Sequence, residues 1–152
     1  MMFSVCICVY DKDNVNYFEE ALDSIVEQSL VPNQIVIVAD GPINSRLKDV
    51  ILKFKNKSSN TLTKIKLVYL DENVGHGEAR RVSIANADYD IVALADADDI
   101  NVYKRFEKQL TVFKSNSNIS IVGSQIVEIE HDTKAPISKK EVPCTDSSIK
   151  KY

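Results

Sequence analysis

The sequence predicts an α/β fold: a doubly wound, mostly parallel, Rossmann-like sheet in a single domain. Three observations predict it. Four short apolar runs alternate with helical patterns, which implies a parallel sheet with helices on both faces. At 152 residues the chain is long enough to bury about two-thirds of its unfolded surface in one domain. Each apolar run also ends in polar residues, and in such sheets ligands bind at the carboxyl ends of the strands.

The elements follow in order. Residues 3–9 (FSVCICV) read as the first strand. A helix is expected over 16–28, with Phe18, Leu22, Ile25 and Val26 on one face. Pro32 breaks the chain before a second strand at 34–39, QIVIVA, which turns at Asp40-Gly41-Pro42. A helix through Leu47, Val50, Ile51 and Phe54 follows, then a polar loop over 56–63. The third strand is 65–70. A turn over 71–77 leads into a helix near 78–87, and the fourth strand is 91–95. Phe106, Leu110 and Phe113 mark a helix over about 102–114. Residues 119–129 are extended, as one bent strand or two, with Gly123 at the bend. From His131 the chain is polar and shows no clear pattern.

Composition narrows the function. Hydrophobic residues make up 44% and charged residues 27%, as in soluble globular proteins. A net charge of −3 argues against nucleic-acid binding, which needs a basic footprint. No apolar run reaches the ~20 residues of a membrane span. The apolar N-terminus lacks a basic leader and a small-residue cleavage site, so it reads as a core strand and nothing is expected to export the chain. Cys6 and Cys8 fall on one strand face and read as small buried hydrophobes rather than a metal pair. With Cys144 the count is odd, so no disulfide framework is expected and a reducing cytosol fits.

The most informative stretch is IVALADADDI, residues 91–100. An apolar run that suits a buried strand leads straight into Asp96, Asp98 and Asp99. Carboxylates this close repel one another. A divalent cation takes oxygen ligands, neutralises the cluster and can hold nucleotide phosphates. The plain alternative is a polar loop whose carboxylates face water and cap the next helix. The other strand ends add Tyr10-Asp11, Asp40-Gly41 and Asp71-Glu72-Asn73 to the same edge of the sheet.

Several motifs now resemble an inverting family 2 glycosyltransferase of the GT-A fold. SVCICVYDKD is similar to that family's first strand and loop. YFEEALDSIVEQSLVPNQIVIVADGP resembles its long segment ending in a strand and an acidic turn. NVGHGEARRVSIANADYDIVALADADDI resembles its A-R-N stretch running into D-x-D-D, and RFEKQL resembles R-L-E-K-Q. The resemblance covers about residues 3–130. It implies a nucleotide-sugar-binding domain over 1–130, and a polar tail over 131–152 that leads toward an acceptor-binding half.

By that resemblance Asp98 contacts the Mn²⁺ or Mg²⁺ that bridges the donor diphosphate, and Asp96 contacts the ribose or a metal-bound water. Asp99 matches the fourth position of the motif, as a metal contact or as a cap for the next helix. Asp40 reads the uracil or ribose, and Tyr10 lies beside the base. Arg80 matches the Arg of A-R-N; its fork suits a base carbonyl or phosphate, and its bland alternative is a solvated helix charge. The implied donor is a UDP-sugar or another nucleotide sugar, and the acceptor a glycan or lipid-linked sugar. The place of work implied is the cytoplasm, at the inner face of the membrane.

The chain departs from the family pattern at Ala39, Arg81, Ser83 and around Tyr89-Asp90. No catalytic base is assigned. The family places it in the acceptor half, and Glu128, Glu130 and Asp132 read better as a solvated strand face. Donor binding with poor transfer is the expectation for these 152 residues. His76 reads as a surface or capping residue. Gly75 and Gly77 do not make a phosphate-binding glycine motif. Two rivals remain: a non-catalytic nucleotide-binding or scaffold domain of the same fold, and a phosphoacceptor receiver domain using Asp11, Asp13 and Asp71. The receiver would want a Lys at the fifth strand end, where Ile121-Val122-Gly123-Ser124 offers none.

Overall fold

The computed structural model describes residues 1–58 and 62–151. Part of the expected polar loop at 56–63 falls outside the described residues. Residues Met1–Leu110 make one compact unit and Thr111–Tyr152 a second.

The first unit is built on four parallel strands: β1 (Phe3–Val9), β2 (Gln34–Ala39), β3 (Lys64–Tyr69) and β4 (Ile91–Ala95). Their order across the sheet is β3-β2-β1-β4. The helices between them are α1 (Val15–Val26), α2 (Ser45–Ser58) and α3 (His76–Ala85), and α4 (Arg105–Ser115) follows β4. The expected α/β fold is found. β1, β2 and β4 have the expected bounds; β3 starts and ends one residue earlier. α4 begins at Arg105 rather than near Val102, which is itself exposed.

The core follows from strand periodicity. All of β2 and nearly all of β1 are buried, as a central parallel pair must be. Cys6, Val36 and Val38 share one face and pack against Ala79 of α3. Successive residues point to opposite faces, so Phe3 turns the other way. There its ring meets Phe106 of α4 edge-on at 5.2 Å. Helices therefore cover both faces. Phe18, Leu22 and Ile25 of α1 and Leu47 and Ile51 of α2 are buried; each contributes about 1.5–3 kcal/mol on burial.

Local chemistry sets the helix starts. The Asn14 side chain accepts from the N–H groups of Asn16 (2.9 Å) and Tyr17 (3.3 Å), capping α1. Asn44 accepts from the Leu47 N–H at 3.1 Å and caps α2. Its Nδ2 also donates to the Asp11 carbonyl at 3.0 Å, joining the loops after β1 and β2.

The second unit holds an antiparallel hairpin of β5 (Ile126–Ile129) and β6 (Pro136–Lys140), with a register irregularity at Glu128/Ile129, and the short α5 (Asp146–Ile149). The expected extended stretch over 119–129 is thus a strand only in its last four residues. The polar tail, which shows no pattern in sequence, contains β6 and α5. Glu130 accepts from the Thr133 N–H and hydroxyl at 2.7 and 2.8 Å, which shapes the hairpin turn.

Candidate functional site

The strand order reverses at β1. The chain steps outward from β1 to β2 to β3, then returns to place β4 on the other side of β1. Such a switch point leaves a crevice beyond the carboxyl ends of the strands. A hollow of about 460 Å³ lies there, within the usual size range of small-ligand sites. Tyr10, Asp40, Asp96 and Asp98 all line it. So do Asn73, which the sequence reading put on the same sheet edge, and Asp13, Gly75 and His76, which it did not place in the donor site.

Each strand end is held by its neighbour. The Asp13 carboxylate accepts the Tyr10 N–H at 2.9 Å, closing the turn after β1. Asp40 is buried, and its two oxygens accept the N–H groups of Val74 (2.7 Å) and Gly75 (3.1 Å). Asp40 thus ties the end of β2 to the entry of α3. Two glycines permit this. Gly41 has φ +84°, and a Cβ there would sit 2.6 Å from the Asn73 nitrogen. Gly75 has φ 88° and ψ 155°, a region open essentially to glycine alone.

Arg80 does not line the hollow. Its guanidinium Nη2 donates to Asp96 Oδ1 in an ion pair. His76, the first residue of α3, is exposed and has Nε2 at 3.9 Å from the same oxygen. Asp99 does not cap α4, which starts only at Arg105; its N–H instead bonds the Asp96 carbonyl at 3.3 Å in a turn.

The electrostatics carry the expected repulsion. Burial, then Asp96 and Asp98, raise the Asp99 carboxyl above its ordinary value. Burial chiefly raises Asp13 too, with Asp98 adding to it and the Tyr10 N–H opposing. A cation at this edge would relieve both. Among the described residues no three metal-ligating side chains converge. Asp96 and Asp98 supply hard oxygens on the hollow, and Asp96 is shared with Arg80. Such a pair completes a coordination shell only with oxygens from a ligand and water, which fits Mg²⁺ or Mn²⁺ arriving with a diphosphate.

Cys6 donates to the Ser83 carbonyl at 3.3 Å, and burial pushes its thiol up to about 11. Cys8 borders the hollow, and burial raises it as well.

A family model described as Glycosyl transferase family 2 matches residues 4–150. The chain belongs to glycosyl transferase family 2. Among its relatives is the amylovoran biosynthesis glycosyltransferase AmsE of Erwinia amylovora, 31% identical over 151 residues, covering 99% of this chain and 54% of that protein. Another is the UDP-Gal:alpha-D-GlcNAc-diphosphoundecaprenol beta-1,3-galactosyltransferase of Escherichia coli, 32% identical, covering 97% of this chain and 52% of that protein. The chain spans about half the length of these relatives. Similar solved structures include S. aureus TarS 1-349 in complex with UDP, with TM-score 0.64, 23% identity, and 77% of this chain and 33% of that one covered. The mannosyltransferase PcManGT of Pyrobaculum calidifontis, in complex with GDP-Man and Mn²⁺, gives TM-score 0.61 and 20% identity over 85% of this chain and 35% of that one. The fold they share with this chain is the GT-A fold.

Proposed function

We propose that this chain is the nucleotide-sugar-binding part of a glycosyltransferase that transfers sugar, with inversion, to a glycan or lipid-linked acceptor. The observation that carries the reading is the convergence of Tyr10, Asp40, Asp96 and Asp98 on one hollow at the switch point of the sheet. In this reading Asp98 holds Mn²⁺ or Mg²⁺ and Asp96 meets the ribose or a metal-bound water. Asp40 reads the nucleoside, and Tyr10 lies beside the base. Arg80, now paired with Asp96, serves a donor phosphate or base carbonyl.

When bound, the metal supplies charge neutralisation for the departing diphosphate. The chain's own residues orient the donor and hold its nucleoside. In the displacement the acceptor oxygen bonds the anomeric carbon as the bond to the diphosphate breaks. The hydroxyl proton passes to a base, and the nucleoside diphosphate leaves. No residue of this chain is assigned as that base. Glu128, Glu130 and Asp132 lie in the hairpin unit, where Glu130 shapes the turn.

A UDP-sugar is the favoured donor. UDP is bound in the TarS structure, and UDP-Gal is the donor named for the Escherichia coli relative. That relative's name also carries a lipid-linked acceptor, which supports work at the inner face of the membrane. No helix among the described residues is long and apolar enough to cross a membrane.

The test is a calorimetric panel of UDP, GDP, ADP and UDP-sugars with the full chain in Mn²⁺. Binding of uridine nucleotides ahead of the others supports the reading. No binding of any nucleotide diphosphate refutes it.

A further inference from the structure

The turn that carries Asp96, Asp98 and Asp99 runs from the end of β4 to the start of α4. Its two shoulders are held by one side chain. Arg105 Nη2 donates to the Leu94 carbonyl at 2.7 Å, just before the turn. Its Nη1 donates to Asn101 Oδ1, just after it. Asn101 is buried and is itself fixed to α1. Its backbone N–H and its Nδ2 both donate to the Ser24 hydroxyl, at 3.0 and 2.9 Å. Its carbonyl accepts Gln28 Nε2 at 3.1 Å. Gln28 in turn accepts the Phe106 N–H at 3.3 Å. The guanidinium lies 5.4 Å from the Phe106 ring centre and feels the charges of Asp99 and Asp96.

A turn between a strand and a helix needs no such apparatus. Burying this many polar groups is costly unless all are satisfied, and apolar packing commonly stabilises as well or better. What a satisfied polar network adds is a fixed orientation. Arg105 does not border the hollow, and both of its terminal nitrogens are already engaged by the Leu94 carbonyl and Asn101 Oδ1.

We propose that Arg105, anchored through Asn101 to Ser24 and Gln28, is a positioning residue that sets the acidic turn for binding a metal–diphosphate. The proposal rests on the reading of the hollow as a metal–nucleotide site. The fork of Arg105 fixes the separation of the two shoulders, and its charge offsets the carboxylates between them.

Two measurements on the full chain test it, on the parent, Arg105→Gln and Arg105→Lys. The first is hydrogen exchange without metal or nucleotide. Both variants should exchange faster at residues 97–100, with β1 and β2 unchanged. The second is titration with UDP in Mn²⁺ and with uridine in chelator. Loss of groups that orient metal ligands typically weakens affinity by about 10–100-fold. UDP–Mn²⁺ affinity should fall by that much in Arg105→Gln and less in Arg105→Lys, while uridine affinity stays within about twofold. Unchanged exchange at 97–100 overturns the inference. So does an equal loss of UDP–Mn²⁺ and uridine binding, which marks a merely structural role. A parent that binds no UDP in Mn²⁺ overturns the metal–nucleotide reading instead, and the exchange result still decides whether Arg105 holds the turn. If Arg105→Gln fails to fold, Arg105→Lys is read by the same criteria.

Discussion

Arg80 and Asp96 are paired across the gap between α3 and the end of β4, guanidinium to carboxylate. Without that guanidinium Asp96 would add its charge to those of Asp98 and Asp99, which only Arg105 would then offset among the cations that act on Asp99. The pair therefore links the basic stretch of α3 to the acidic turn. In the proposed role Arg80 donates to a phosphate or carbonyl of the donor, so Arg80→Gln loses a charge-assisted hydrogen bond worth about 1.5–3 kcal/mol and UDP–Mn²⁺ affinity should drop about tenfold or more. Calorimetry reads this directly. Equal affinity in Arg80→Gln would show that the pair is only a surface contact.

Asp40 gives a second prediction. Its oxygens hold the Val74 and Gly75 N–H groups. Asp40→Ala leaves those donors unpaired and costs about 1–3 kcal/mol of stability. Asp40→Asn keeps one acceptor and should recover part of that loss in a urea melt. If Asp40 also reads the nucleoside, uridine affinity falls about tenfold in Asp40→Asn, the change expected for one lost charge-assisted bond. A stable Asp40→Asn with parental uridine affinity would confine Asp40 to holding the turn.

The glycines divide space from backbone strain. At Gly75 nothing lies within 4 Å of an added Cβ, so Gly75→Ala carries the backbone penalty alone, about 1–3 kcal/mol. At Gly41 the same penalty is joined by a clash with the Asn73 backbone at 2.6 Å. Gly41→Ala should therefore destabilise more than Gly75→Ala. Thermal melts of the two variants that rank the other way would contradict the close approach of these turns.

The acidic turn should show in the pH dependence of the metal-free protein. Burial and the neighbouring carboxylates raise Asp99 from the ordinary aspartate value of 3.8. A carboxyl whose pKa is higher folded than unfolded favours folding while protonated. That contribution is present below the unfolded value and is lost as pH rises through the folded one. Asp99→Asn removes this loss. Its melting temperature should gain on the parent as pH rises from acid toward neutral. Parallel curves would show that Asp99 feels no net repulsion.

Much of this fold is legible in the sequence because the strands are unbroken apolar runs between turn residues. Phe3–Val9, Gln34–Ala39 and Ile91–Ala95 need no tertiary information to be found. The start of α4 does. The backbone carbonyls of Asn101 and Val102 are held by Gln28, just past the end of α1, and that long-range contact delays the helix to Arg105. β6 is hidden for a similar reason. Pro136–Lys140 has no pattern of its own and becomes a strand only by pairing with β5. In the site, Asp96, Asp98, Asp40 and Tyr10 announce themselves as polar groups at strand ends. His76 and Gly75 do not, because only the order β3-β2-β1-β4 brings the start of α3 beside the acidic turn. Asp13 is visible in sequence as a strand-end acid, but its bond to the Tyr10 N–H is not.

The central claim is that the hollow binds a nucleoside diphosphate through a metal held at Asp98. The most direct measurement is calorimetric titration of UDP into the parent and Asp98→Ala, each with Mn²⁺ and with chelator. The account predicts that Mn²⁺ strengthens UDP binding to the parent by about tenfold or more, as a charged ligand contact should. It predicts that Asp98→Ala, while folded, gives the weaker metal-free affinity in both conditions. Equal UDP–Mn²⁺ affinity in the parent and folded Asp98→Ala would contradict it.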